Sequence, residues 1–278
     1  MTEKTLSELI DEAITSGASA LPVFPRAITE LRLALQDENR SLDAIAKQLA
    51  MDASLASQIL RVANSSFYAG LGSINTVKDA LVRLGLPRIV QIATLVMQKG
   101  LFAAKDAATQ QYMVKLWQHS VAVALGAEWL AKRLSFHAIA EEAFMAGLFH
   151  DIGELLLLRC LEDLAAKDPN LNLPANLQRE LIIRQHESKG AWLLQEWNLP
   201  ETYRTVAANH HQPATEHTGT VELLVRVADM VAYKLGIAPR PQPDLVISSS
   251  EEASRLGLSE IMLAELEIAL EDSLALSV

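Results

Sequence analysis

All seven histidines of this 278-residue chain fall between residues 119 and 217: His119, His137, His150, His186, His210, His211 and His217. Asp151 follows His150 directly, in the apolar run FMAGLFHDIGELLLL, and Asp229 lies in the mostly apolar run VELLVRVADMVAY. A carboxylate in such surroundings needs a cationic partner, hydrogen bonds or a metal ion. Imidazole and carboxylate together suit a borderline first-row ion: iron, manganese, nickel or zinc. Successive helical residues diverge by about 100°. His150 and Asp151 can therefore approach one ion from two sides, or Asp151 can bridge two ions. A second ion about 3.5–4 Å away would clamp a phosphate in hydrolysis. For His119, His150, Asp151 and Asp229 ligation is the preferred reading. His186, His210 and His211 could hold the second ion or be ordinary core histidines, and both readings stay open. His137 and His217, in loop-like settings, read as unconnected with the site.

Ligands of this kind must project inward from several helices, and the pattern is helical almost throughout. Leu6, Leu9, Ile10, Ala13 and Ile14 follow helical spacing behind a Thr5/Glu8 capping box, with Gly17 placed to end the helix. LPVFP (21–25) reads as an extended connector and Asp37-Glu38-Asn39 as a stop. Ser41 caps a pair of short stripes, NSSFYAGLGS (64–73) reads as a loop, and Thr76 opens another helix. Gly85 suits the end of that helix and Pro87 the first turn of the next. Longer helices are expected near 108–134, 140–160, 176–185, 188–197, 200–210 and 219–236. APRPQPD (238–244) reads as a Pro-rich linker. Ser259–Leu276 reads as an acidic terminal helix whose stripe of Leu263, Leu266, Leu270 and Leu274 docks on the body or on a partner.

No alternating strand and no repeat emerges, so the expected class is all-α. The expected organisation is an N-terminal helical subdomain (1–105), a bundle of longer helices (106–237), and the linker with its acidic helix (238–278). Half of the residues are hydrophobic, 21% are charged and the net charge is −10, as in a folded protein rather than a disordered one. Acidity disfavours non-specific binding to nucleic acid or anionic membrane. The N-terminus lacks the basic start and apolar core of a signal peptide, and no run approaches the ~18 uncharged apolar residues of a membrane span, so the expected location is cytoplasmic. Cys160 is the only cysteine, reads as a core thiol, and excludes both an intrachain disulfide and a cysteine-based zinc cluster. The four tryptophans read as bundle packing.

The order His119, His150-Asp151, Asp229 resembles the HD superfamily of metal-dependent phosphohydrolases. With His186 and His210-His211 it is similar to the two-metal ligand set of the HD-GYP relatives. The closer resemblance is to the HDOD domain, a bacterial signalling relative. It is carried by LPVFPRAITELRLALQDENRSLDAIAKQLAMDASLASQILRVANSSFYA, by INTVKDALVRLGLPRIVQIA, and by AFMAGLFHDIGELLL with HESKGAWLLQEWNLPE and NHHQP. The resemblance implies an all-α fold in which a helical subdomain packs against an HD-like bundle. It also implies a role in bacterial signal transduction or gene regulation, a divalent metal, and a dinuclear centre if the whole set is used.

Two departures count against cyclic-dinucleotide hydrolysis. HD-GYP relatives carry Lys after HDIG where this chain has Glu154, and QPATEHTG after His211 holds neither the GYP sequence nor an Arg or Lys. Lys115, one turn before His119, could clamp phosphate or be a solvated lysine. Three functional readings follow. The first is a signalling module acting through an unknown protein partner or a ligand. The second is a metal-dependent phosphohydrolase acting on a nucleotide or phosphate ester, with Asp151 central to it. The third is DNA binding through a helix-turn-helix at 41–64. The third is disfavoured because 54–63 offers only Gln58 and Arg61 as base-reading or basic side chains.

Overall fold

The helix starts follow their caps in a computed structural model that describes residues 5–16, 21–35, 41–65, 72–168, 171 and 173–273. Thr5 and Glu8 close a reciprocal capping box, Thr5 N–H donating to Glu8 Oε2 at 2.7 Å and Glu8 N–H to Thr5 Oγ1 at 3.3 Å. That box opens α1 (Leu6–Thr15). Ser41 caps α3 (Leu42–Ala50), Asp52 caps α4 (Ala53–Ala63) and Thr76 caps α5 (Val77–Lys99). Between them, α2 covers Arg26–Leu35. The expected stops at Gly17 and at Asp37-Glu38-Asn39, and most of the loop at 64–73, lie outside the described residues.

Gly85 stands at φ 78°, which breaks α5 into two pieces, with Pro87 in the first turn of the second. Positive φ costs a residue with a side chain but not glycine. By length and composition α5 is the one helix among the described residues that would reach across a membrane, although half of that stretch is buried in the protein.

The larger bundle consists of α6 (Ala107–Arg133), α7 (Ala140–Phe149), α8 (Ile152–Lys167), α9 (Ala175–Glu196), α10 (Glu201–Asn209) and α11 (Thr220–Lys234). A short α12 (Glu251–Arg255) and α13 (Glu260–Ser273) follow. No strand occurs among the described residues, so the chain is all-α. Two apolar cores form, one among α2–α5 and a larger one among α6–α11 with α13. α1 joins the larger core through Ile10 and Ile14 and is fastened to α9 by Gln185–Ser7 and Lys189–Asp11 pairs. Arg88 and Gln91 of α5 reach Glu128 of α6, at 2.8 and 3.4 Å, and tie the two cores together. Phe24 of the LPVFP connector packs on Phe149 and Trp197, and Cys160 is fully buried.

Two helix expectations are corrected. The run expected as one helix at 140–160 is α7 and α8, broken at His150-Asp151, where Asp151 adopts φ −100°, ψ 15°. The runs expected as separate helices at 176–185 and 188–197 are one helix, α9. The polar residues between them, Glu187 and Ser188, do not interrupt it. Glu187 instead accepts from His211 N–H and Gln212 Nε2. The terminal stripe docks on the body, with Leu266 and Leu270 fully buried, while Leu274 lies outside the described residues. α13 approaches so closely that a Cβ on Gly126 of α6 would lie 2.6 Å from Leu270 Cδ1.

Candidate metal centre

The break between α7 and α8 is what lets neighbouring His150 and Asp151 face a common point. His119 comes to it from mid-α6, His186 from mid-α9, His210 and His211 from the end of α10, and Asp229 from α11. His119 and His150 have no solvent exposure, and Asp151, His186, His210 and Asp229 are each at most 4% exposed. His211, with 35% of its side chain exposed, forms the open edge. His137, His217 and Lys115 lie elsewhere, exposed.

Asp151 divides the cluster. Its Oδ2 lies 3.3 Å from His119 Nε2 and 3.4 Å from His150 Nε2, while its Oδ1 lies 3.1 Å from His210 Nε2 and 3.6 Å from His186 Nε2. Asp229 Oδ1 completes the first side, 3.0 Å from His119 Nε2 and 3.6 Å from His150 Nε2. His211 completes the second, its ring 4.1 Å from that of His210. Within each group, His119–His150–Asp229 and Asp151–His186–His210–His211, one ligand-type atom per residue lies within 4.8 Å of the others.

Backbone carbonyls orient the rings. His119 Nδ1 meets Ile237 O at 2.8 Å, His150 Nδ1 meets Gly147 O at 2.7 Å, His186 Nδ1 meets Ile182 O at 2.9 Å and His210 Nδ1 meets Ala207 O at 3.1 Å. A carbonyl only accepts, so each Nδ1 carries the hydrogen and the neutral ring turns its Nε2 lone pair inward. His119 Nε2 and His150 Nε2 then oppose each other at 3.2 Å, among carboxylate oxygens. Such a gathering of acceptors needs positive charge between them. His186 Nε2 and Asp229 Oδ1 are buried without a hydrogen-bond partner. The donor set and these two orphaned atoms fit a divalent ion at each side of Asp151.

Without metal, protons fill the same role. Burial opposes an imidazolium at His119, but Asp151 and Asp229 outweigh it and raise the pKa from 6.5 to about 9. His150 moves up likewise, burial again being overcome by Asp151 and Asp229. Burial raises Asp151 and Asp229, but the histidines hold both well below the usual carboxylate range. His211 goes the other way, lowered to about 4 by burial and then by His210, so its ring is neutral near pH 7.

The sign of the pH effect follows from His119. A folded pKa above the unfolded value gives stability that is complete below pH 6.5 and lost as pH rises through about 9. Metal binding must displace those protons and therefore strengthens over the same range. Thermal unfolding with chelator and with metal, at pH 6.5 and above pH 9, is expected to show a wider gap in Tm at the higher pH.

Three groups around the cluster are not apparent from histidine spacing. Gly153 allows α8 and α9 to touch: a Cβ there would lie 1.9 Å from His186 O. Arg226, 3% exposed, donates to Asn209 O at 2.7 Å and Gln212 O at 2.5 Å, and pairs with Glu222. It thereby fixes both ends of the His210-His211 turn against the helix bearing Asp229. Arg226→Ala would leave Glu222 buried without its cation and is expected to cost about 3–5 kcal/mol in urea unfolding. The sequence signal was available, since Arg226 lies four residues from Glu222 and three from Asp229 in a run otherwise apolar. The third group is Glu154. Fully buried, it accepts from Tyr112 Oη at 2.7 Å and pairs with Arg240. Its charge is therefore offset, which lessens the weight of Glu154 as a departure counting against cyclic-dinucleotide hydrolysis.

These features define an all-α protein with a buried His/Asp cluster of the kind that could hold metal. The HDOD domain family profile matches residues 21–213, and the chain belongs to that family. It is similar in fold to the "HDOD domain protein with unknown function" of Geobacter sulfurreducens, at 23% identity and TM-score 0.78, covering 97% of this chain and 96% of that one. It is also similar in fold to a "Putative metal-dependent phosphohydrolase" of Shewanella amazonensis SB2B, at 20% identity and TM-score 0.76, covering 98% of each. A curated relative, a cyclic di-GMP phosphodiesterase of Pseudomonas aeruginosa, is 26% identical over 223 residues, covering 76% of this chain and 47% of its own length. The chain spans less than half the length of the curated relatives it matches, 41% of one and 47% of another.

Proposed function

We propose that this chain is a metal-binding regulatory module of bacterial signal transduction. It works in the cytoplasm and holds two first-row divalent ions that share Asp151. The observation that carries this reading is that the two oxygens of one buried carboxylate face separate groups of inward-turned imidazoles. Output passes through a protein partner or a small ligand that recognises the metal-loaded bundle. Family membership supports the regulatory role. Affinity capture from bacterial lysate, with metal-loaded and chelated protein compared, tests it: a partner retained only by the loaded form is expected, and equal recovery or none with both contradicts it.

A second reading, phosphohydrolase activity on a nucleotide or phosphate ester, is favoured by the shared Asp151 and by the neutralised Glu154. A bound ion pair would supply charge neutralisation for a phosphoryl group and a water of lowered pKa. His119, His150, Asp151 and Asp229 would hold one ion, and Asp151, His186, His210 and His211 the other. Because the Pseudomonas relative is a cyclic di-GMP phosphodiesterase, a phosphodiester is the natural first substrate. The missing GYP sequence and the absence of Arg or Lys in QPATEHTG argue against a cyclic dinucleotide. Metal-loaded protein assayed with generic phosphodiesters and nucleotides decides the matter. Turnover lost in Asp151→Ala supports hydrolysis, and no turnover with iron, manganese or nickel loaded removes it.

A further inference from the structure

The segment after α11 does not leave the bundle at once. Ile237 O accepts from His119 Nδ1 at 2.8 Å, and Gln242 N–H donates to Tyr233 O at 2.9 Å. Arg240 lies between these two anchors, its side chain 14% exposed, and one of its nitrogens, Nη2, donates to Glu154 Oε1. Glu154 in turn begins its helical turn at Asp151, donating its own N–H to Asp151 O at 2.9 Å. The guanidinium is therefore held beside the cluster by a buried carboxylate on one side and a pinned backbone on the other. Among the described residues its Nε and Nη1 make no hydrogen bond, while the hydroxyls of Tyr112 and Tyr233 lie within electrostatic reach of the guanidinium. The ring of Tyr233 packs edge-on against His119 at 5.3 Å.

A pre-oriented guanidinium with donors to spare is a fork for an oxyanion. Its place beside a centre able to hold two dications narrows the ligand to one carrying concentrated negative charge. We infer that Arg240, braced by Glu154, is an anion-binding residue of this centre, offering its free N–H groups to the phosphoryl oxygens of a ligand seated at the metals. Arg240 thus supplies, from the segment beyond the last bundle helix, the cation missing after HDIG. This inference rests on the metal-centre reading above.

Titration calorimetry of metal-loaded protein with inorganic phosphate tests it, with acetate as the carboxylate control and metal content measured on every sample. Arg240→Gln is expected to keep its metal and to lose about tenfold or more in phosphate affinity, the scale of one charge-assisted contact. Because that variant leaves Glu154 without its cation, the double variant Arg240→Gln/Glu154→Gln is measured beside it and is expected to show the same loss. Wild-type protein is expected to prefer phosphate to acetate. A metal-loaded double variant that binds phosphate like the wild type overturns the inference, as does a metal-loaded wild type that ignores phosphate or prefers acetate. A wild type that takes up no metal is a different failure and removes the centre itself.

Discussion

Asp151→Asn is expected to empty both sides of the centre at once, taking bound metal from about two ions per chain to nearly none. The substitution hardly changes volume, but it removes the charge from the one group that faces His119 and His150 through Oδ2 and His186 and His210 through Oδ1. His186→Ala is the informative contrast. Among the described residues, His186 approaches only Asp151 Oδ1 of the carboxylate oxygens and ends in an otherwise orphaned Nε2, so its loss is expected to remove one ion and spare the other. Elemental analysis of both variants beside the wild type checks this. Equal losses in the two would mean that Asp151 does not join two separate sites.

Gly153→Ala is expected to have the largest effect of any single added methyl group. The new carbon would stand 1.9 Å from His186 O, 2.6 Å from Gly190 N and 2.8 Å from His186 C. All three are backbone atoms, so no side chain can rotate out of the way. α8 and α9 must separate, and His186 moves with α9. Overpacking costs 1–3 kcal/mol in ordinary cores and occasionally more; a backbone clash of this depth belongs at the upper end, about 3 kcal/mol or beyond. Urea unfolding measures the loss, and metal analysis is expected to show the His186 side weakened first. Gly219→Ala is the control, because a Cβ there meets nothing within 4 Å.

The same glycine shows what sequence can and cannot reveal here. The ligand-type residues stood out because histidine and aspartate are costly in apolar helices, and that cost is visible without coordinates. Helical periodicity placed α6, α10 and α11 to within a few residues. It ran α7 and α8 together because FMAGLFHDIGELLLL is apolar and free of proline, and the break at Asp151 is a matter of backbone angles at one residue. It divided α9 because a polar stretch looks the same whether it ends a helix or faces another segment.

Long-range pairs were the least accessible. Glu154 and Arg240 are 86 residues apart, and nothing local marks the arginine in a Pro-rich stretch as the partner of a carboxylate in HDIGE. Read alone, Glu154 counted against cyclic-dinucleotide hydrolysis; read with Arg240 and Tyr112, that argument weakens. Arg226 was hidden differently. Its spacing to Glu222 is visible in the sequence, but two of its partners are the backbone carbonyls of Asn209 and Gln212, which no pattern of side chains announces.

The claim on which the account turns is that inward-facing imidazole nitrogens and two carboxylates hold divalent ions. Elemental analysis by inductively coupled plasma mass spectrometry, on wild-type protein purified without chelators, addresses it directly. About two first-row metal ions per chain are expected, removable by chelation and restored by iron, manganese, nickel or zinc. Protein that emerges metal-free and takes up none of these ions at neutral pH would contradict the account, leaving the histidines and carboxylates as a proton-sharing cluster within an HDOD fold.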